Sequence, residues 1–416
     1  MLSVRIALVL TIVASTPRAW AESTRVWAVT APPVAKDPCP QPPTRGWAKL
    51  ATGGPIAPVG NMTARLDGAK VIVEGGDKTA SLDVCHDRWA AGVASTPPSR
   101  PNEHNDGGWI ALGRYFLLPG YDPSRSGFDA FDTARLQLPN GKTVRVSATN
   151  APSPRGNYAI AMTGTKVIIW GGLAPQTKGG AMAPLADGAV LDLTSRTWRR
   201  IAPRGAPSAR FAPSVVWTGS QLVIWGGAAS LDVADLLGDG AIYDLKRDRW
   251  TPIAATGAPS ARWRPIVVWT GRAMLVMGGG SQRPQNPGGA NDRTDAAILE
   301  LSKNEWHSIA NVPALPEEHW VRPYVDGSDR VLFVDTLQFN VHQLELATHT
   351  FVDPKMDKAL ADRSGVATTW TGRRLVIYGG YRQAPGYKNP CANKGHNCLP
   401  PTPPRMTFSE GWVYVP

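Results

Sequence analysis

Pro207–Gly227 reads PSARFAPSVVWTGSQLVIWGG, and Asp239–Gly257 continues as DGAIYDLKRDRWTPIAATG. The chain then says nearly the same thing again: PSARWRPIVVWTGRAMLVMGG over Pro259–Gly279 and DAAILELSKNEWHSI over Asp295–Ile309. One row earlier stand PSPRGNYAIAMTGTKVIIWGG, Pro152–Gly172, and DGAVLDLTSRTWRRIAPRG, Asp187–Gly205. Self-similarity this close, at a spacing of roughly 50 residues, is the signature of a repeat architecture.

Each row holds four short apolar segments. One precedes the turn Trp217, Thr218, Gly219; a second, Leu222 to Trp225, ends in a glycine pair; a third alternates from Ala241 to Leu245; a fourth begins at Trp250. Segments of this length, alternating and punctuated by glycine turns, predict antiparallel strands rather than helices. A four-stranded unit cannot hide both faces alone, so packing the units in a ring is the expected solution. Weaker rows lie at Ala69–Gly76, Gly113–Gly120, Val331–Val334 and Thr368–Gly380. The last row lacks a fourth strand, which the N-terminal stretch from Trp47 to Gly53 supplies. The sequence therefore predicts an all-β β-propeller of seven four-stranded blades, or six or eight if a weak row is misread, with an N-terminal strand closing the last blade.

The strand Val-Ile-Trp-Gly-Gly followed by a lone tryptophan resembles the Kelch repeat. The pairs are Gly75 and Gly76, Gly171 and Gly172, Gly226 and Gly227, Gly278 and Gly279, and Gly379 and Gly380; the tryptophans are Trp47, Trp89, Trp198, Trp250 and Trp306. Most of these residues are scaffold: the glycines permit turns that a side chain would block, and the tryptophans fill space between sheets. The resemblance implies a module that recognises proteins or glycans. A weaker likeness, to bacterial periplasmic sialic-acid mutarotases, implies instead a mutarotase- or epimerase-like enzyme acting on an acidic sugar.

Residues 1–21 read as a secretory leader: Arg5, an apolar run from Ile6 to Ala14, and small residues at Ala19 and Ala21. That predicts a periplasmic or secreted protein with an extension over 22–44 and a single domain over 45–416. No later segment is long and apolar enough to span a bilayer. Net charge is +11, but the basic residues are scattered one or two at a time. The expected partner is a protein or carbohydrate, which a basic patch could make an anionic one, while simple excess of lysine and arginine is the alternative; no nucleic acid is expected. Four cysteines allow three pairings. Cys391 and Cys398 flank a short polar loop that a local bridge closes readily, leaving Cys39 and Cys85 to pair. Neither a cofactor nor a metal is expected, since no motif here asks for one.

Candidate functional residues lie at the row entrances. Arg155, Arg210, Arg262 and Arg363 occupy equivalent positions, where a ring of them makes an anion-binding mouth; the alternative is that they cap turns or pair with acidic neighbours. Two rows carry His104 and His319 there instead, each preceded by an acid, Glu103 and Glu318. Such exceptions suit acid–base catalysis, since repeated residues tend to be structural. Long insertions after the glycine pairs, Leu173–Ala186, Ala228–Gly240, Gly280–Thr294 and Tyr381–Thr407, leave the same strand connection in each row and predict a binding face.

Overall fold

The computed structural model describes residues 25–27, 39, 45–50, 54, 62–91, 110–121 and 129–416, apart from short breaks and longer ones at 283–292, 317–320 and 384–404. Its strands form eight sheets. Seven have a core of four antiparallel strands and, counted along the chain, lie within 63–91, 110–145, 158–200, 214–252, 266–309, 321–352 and 364–415, the last completed by Gly46–Lys49; the eighth is a two-stranded ribbon. The third sheet is representative: Tyr158–Thr163, Lys166–Trp170, Gly188–Asp192 and Thr197–Arg200 pair as successive neighbours. Arg25–Trp27 adds to its edge in parallel, with Arg25 opposite Tyr158. In the seventh sheet Gly46–Lys49 pairs with Gly411–Val415, so Trp47 faces Tyr414 across 367 positions of chain.

Among the described residues no strand ladder joins one sheet to the next, although isolated bridges such as Asp129 with Arg155 and Leu185 with Arg210 tie neighbouring rows. No sheet closes into a barrel, and the residues cluster into two compact units. The expected closed seven-bladed propeller is thereby corrected to an all-β fold of eight separate sheets. Repetition in sequence dictates that each row completes its own four-strand pairing; it does not dictate closure of the rows on one another. Row counting also misses the ribbon Leu173–Pro175 with Met182–Pro184, which lies inside an insertion, and the strand Arg405–Thr407, which pairs in the last row with the end of Leu375–Gln383. The leader expected over 1–21 lies outside the described residues. Among the described residues no helix is long and apolar enough to cross a membrane.

One unit comprises residues 1–27, 102–201 and 209–212, and its core joins the second and third sheets through Phe131, Tyr158, Ile169 and Trp198. Phe131 meets the rings of Tyr158 and Trp198 edge-on at 5.4 and 5.7 Å. The other unit holds the remaining five four-stranded sheets, with a core cluster between each successive pair from the fourth to the seventh, and between the seventh and the first. Trp306 shows how neighbouring sheets are tied. Its ring packs edge-on to Trp225 of the preceding sheet at 6.1 Å, and its Nε1 donates to the Ala254 carbonyl at 2.9 Å. Burying aromatic area of this kind stabilises by about 25 cal/mol per Å² and outweighs any single polar contact in the sheet.

The hairpins joining third and fourth strands are capped by an aspartate. Asp192 Oδ1 accepts from the Thr194 and Ser195 amides at 2.9 and 3.1 Å, and Asp244 Oδ1 accepts from Lys246 and Arg247, both at 2.9 Å. The turns end on left-handed residues, Arg196 at φ 61° and Asp248 at φ 53°. Cys85 sits in the corresponding turn after Asp83 and is bonded to Cys39, with Cα atoms 5.2 Å apart. That bridge fixes the stretch preceding the Gly46–Lys49 strand to the first sheet. Cys391 and Cys398 lie outside the described residues.

Candidate functional site

Within a row, the first strand starts, the second ends and the third begins at the same end of the sheet. The arginine, the glycine pair and the third strand's first acidic residue therefore meet there. Arg155 is fully buried. Its Nε donates to Ser153 O at 2.9 Å, Nη1 to Gly171 O at 3.0 Å and Asp187 O at 3.1 Å, and Nη2 to Ser153 Oγ at 2.9 Å and Asp187 Oδ2 at 3.2 Å. A guanidinium has five N–H donors, and every one is engaged. Arg262, also fully buried, reproduces the set on Ser260, Gly278 and Asp295. Burial pulls both arginines below the ordinary guanidinium range, and the aspartate beside each opposes the shift.

These two arginines are clamps. They tie the row entrance to the first glycine of the pair and to the residue that opens the third strand; Asp187 O, which also accepts from the Gly171 amide at 2.9 Å, takes a second donor from Arg155. Arg363 forms a reduced version: Nε to Ala359 O at 3.0 Å, Nη1 to Gly379 O at 3.2 Å and Nη2 to Glu410 Oε2 at 2.9 Å, with Phe408 stacked 3.9 Å away. Arg210 is fully buried too, and its backbone bridges Leu185 and Gly172. Of the two readings that the sequence leaves open for these positions, the pairing with acidic neighbours describes Arg155, Arg262 and Arg363. The second glycine of each pair allows the close approach: a Cβ on Gly172 would stand 2.7 Å from Gly156 O, and one on Gly279 2.7 Å from Trp263 O.

Glu103, His104, Glu318 and His319 lie outside the described residues. Among the described residues no group of three or more His, Cys, Asp or Glu side chains is arranged to hold a metal ion.

Sequence reasoning did not single out the clamp carboxylates Asp187 and Asp295, although the repeated Asp opening each third strand was a signal for them. It also missed a second basic residue beside each clamp. Arg200 shares Asp187 at 3.1 Å and reaches Ala151 O at 3.1 Å. Arg293 reaches only Ala261 O, at 3.4 Å, and its buried Nε has no partner. The buried Nε of Arg382 is also unpartnered among the described residues, and its guanidinium lies 5.3 Å from the Phe408 ring.

Beyond the glycine pairs the insertions continue as short ribbons. Leu173–Pro175 pairs with Met182–Pro184, Ala228 bridges Leu236, and Tyr381, Arg382 and Gln383 pair with Thr407, Met406 and Arg405. Residues 113–333, more than half of the 416-residue chain, match the family described as the KLHDC2/KLHL20/DRC7 Kelch-repeats domain. The chain belongs to this Kelch-repeat family. It is 31% identical to Adagio-like protein 3 of Oryza sativa subsp. japonica over 36% of its own length and 24% of that protein's. It is 29% identical to human Kelch-like protein 34, over 39% and 25% of the two chains. A longer match, 64% of this Kelch-repeat chain at 25% identity, is to the Arabidopsis thaliana serine/threonine-protein phosphatase BSL2, of which it covers 25%. The chain thus spans about a quarter of the length of these curated relatives.

Proposed function

We propose that this Kelch-repeat chain is a binding module, and that its ligand is a protein held by the ribbons beyond the glycine pairs. The observation that carries the reading is where apolar surface is left open. Among the described residues three large hydrophobic side chains are exposed: Leu231, Val352 and Met406, at 43%, 51% and 42%. Two of the three stand in post-pair insertions. Exposed apolar side chains rimmed by polar backbone are what a protein partner covers. The ribbons also present strand edges, which suit an extended peptide better than a sugar. The clamp arginines meanwhile serve the scaffold.

The experiment substitutes exposed apolar residues one at a time. Leu231→Ser and Met406→Ser should each reduce cross-linked partner recovered by the tagged chain several-fold, while Val352→Ser, at a fourth-strand position, should leave recovery unchanged. Loss with Val352→Ser alone, or with none of the three, contradicts the placement on the ribbons.

A further inference from the structure

We propose that Arg382, oriented by Phe408, anchors a carboxylate side chain of a bound peptide on the ribbon of the seventh sheet. The inference rests on the protein-binding reading above and narrows it to an acidic ligand segment.

Three observations meet at this place. First, among the described residues no carboxylate pairs with Arg382, whose buried Nε has no hydrogen-bond partner. Glu410, the carboxylate of this end of the sheet, is held between Lys49 Nζ at 2.5 Å and Arg363 Nη2 at 2.9 Å. Both cations draw its pKa below the ordinary glutamate range, the Lys49 bond most strongly. Second, the Arg382 guanidinium rests over a ring that it shares with Arg363: the Phe408 centroid is 5.3 Å from Arg382 and 3.9 Å from Arg363. Arg363, depressed first by burial, is pushed down further by the Arg382 charge. Third, Met406 is the cross-strand partner of Arg382, so the two side chains share a face of the ribbon, and Phe408, two residues on, follows the same side.

The chemistry of that face selects its ligand. A guanidinium fork matches the two oxygens of a carboxylate, and stacking on an aromatic ring holds the fork ready. Exposed Met406 beside it adds a flexible apolar contact. The matching segment carries a glutamate or aspartate next to an apolar residue. In the third sheet, by contrast, the basic residue beside the clamp, Arg200, already shares Asp187.

The test follows the Arg382 Nε–H resonance in the ¹⁵N-labelled full chain, assigned by its loss in Arg382→Lys. Three probes are titrated: a hexapeptide of alternating leucine and glutamate, blocked at both ends; its glutamine counterpart; and inorganic phosphate. The expected result is a shift of the Arg382 signal with the glutamate peptide alone, and a loss of affinity of about tenfold in Arg382→Ala, the worth of one charge-assisted hydrogen bond. An unchanged thermal midpoint shows that Arg382→Ala remains folded. If the peptide binds and moves other resonances while Arg382 stays still, the inference is overturned and the binding-module reading stands. If phosphate moves Arg382 as far as the peptide does, the ligand is a small anion and the peptide is excluded. If nothing moves, the inference falls, and the serine substitutions decide the broader reading independently.

Discussion

Arg262 and Arg382 belong to the same compact unit and stand at the same end of their sheets, yet one is consumed by the fold and the other is not. Arg262 is fully buried with all five donors on Ser260, Gly278 and Asp295. Arg382 is half-buried, rests on Phe408 and, among the described residues, pairs with no carboxylate. The difference lies in supply. In the fifth sheet one aspartate serves one clamp, whereas in the seventh Glu410 is divided between Arg363 and Lys49. A residue repeated in sequence with repeated partners is therefore scaffold, and the residue whose partner has been taken elsewhere is where binding chemistry remains.

The contrast is broken most severely through a clamp. Arg155→Lys keeps the charge but cannot reach Ser153, Gly171 and Asp187 together. The unfolding free energy should fall by about 3 kcal/mol in a denaturant titration, because buried carbonyls lose their donors. Gly279→Ala should cost about 2 kcal/mol in the same measurement, since φ is +87° and the new Cβ would press on Trp263 O at 2.7 Å. Glu410→Gln should cost under about 1 kcal/mol, as the carboxylate is partly exposed.

The same carboxylate sharpens the comparison through pH. The folded pKa of Glu410 lies below its unfolded value, near 4.3. Its contribution is thus present above that value and lost as pH falls through the lower, folded pKa. Thermal midpoints of wild type and Glu410→Gln should differ at pH 6 and converge as the pH is lowered below about 4. A gap that persists at low pH would remove the ion pairs from the account.

Much of the strand order was legible in sequence because apolar segments of four or five residues end in fixed punctuation. The glycine pair stops the second strand, the aspartate caps the hairpin and the tryptophan marks the fourth strand, as at Gly226, Asp244 and Trp250. Closure was not legible, since nothing in a row specifies what its outer edges meet. The arginines were found from register, but their role was not, because a buried clamp and an exposed anion mouth share one sequence signature. What separates them is the acid some 32 residues downstream, Asp187 for Arg155. Arg382 stayed hidden for a different reason: it lies inside an insertion, where register with the other rows is lost, and only the placement of Phe408 and Glu410 gives it meaning.

The most direct test is the denaturant midpoint of Arg262→Ala and Arg382→Ala measured side by side. The account predicts a loss on the order of 3 kcal/mol for Arg262→Ala, from a buried guanidinium and its ion pair, and a change within about 0.5 kcal/mol for Arg382→Ala. Equal losses, or a larger one at Arg382, would show that both arginines are scaffold and would contradict the division between clamp and binding residue.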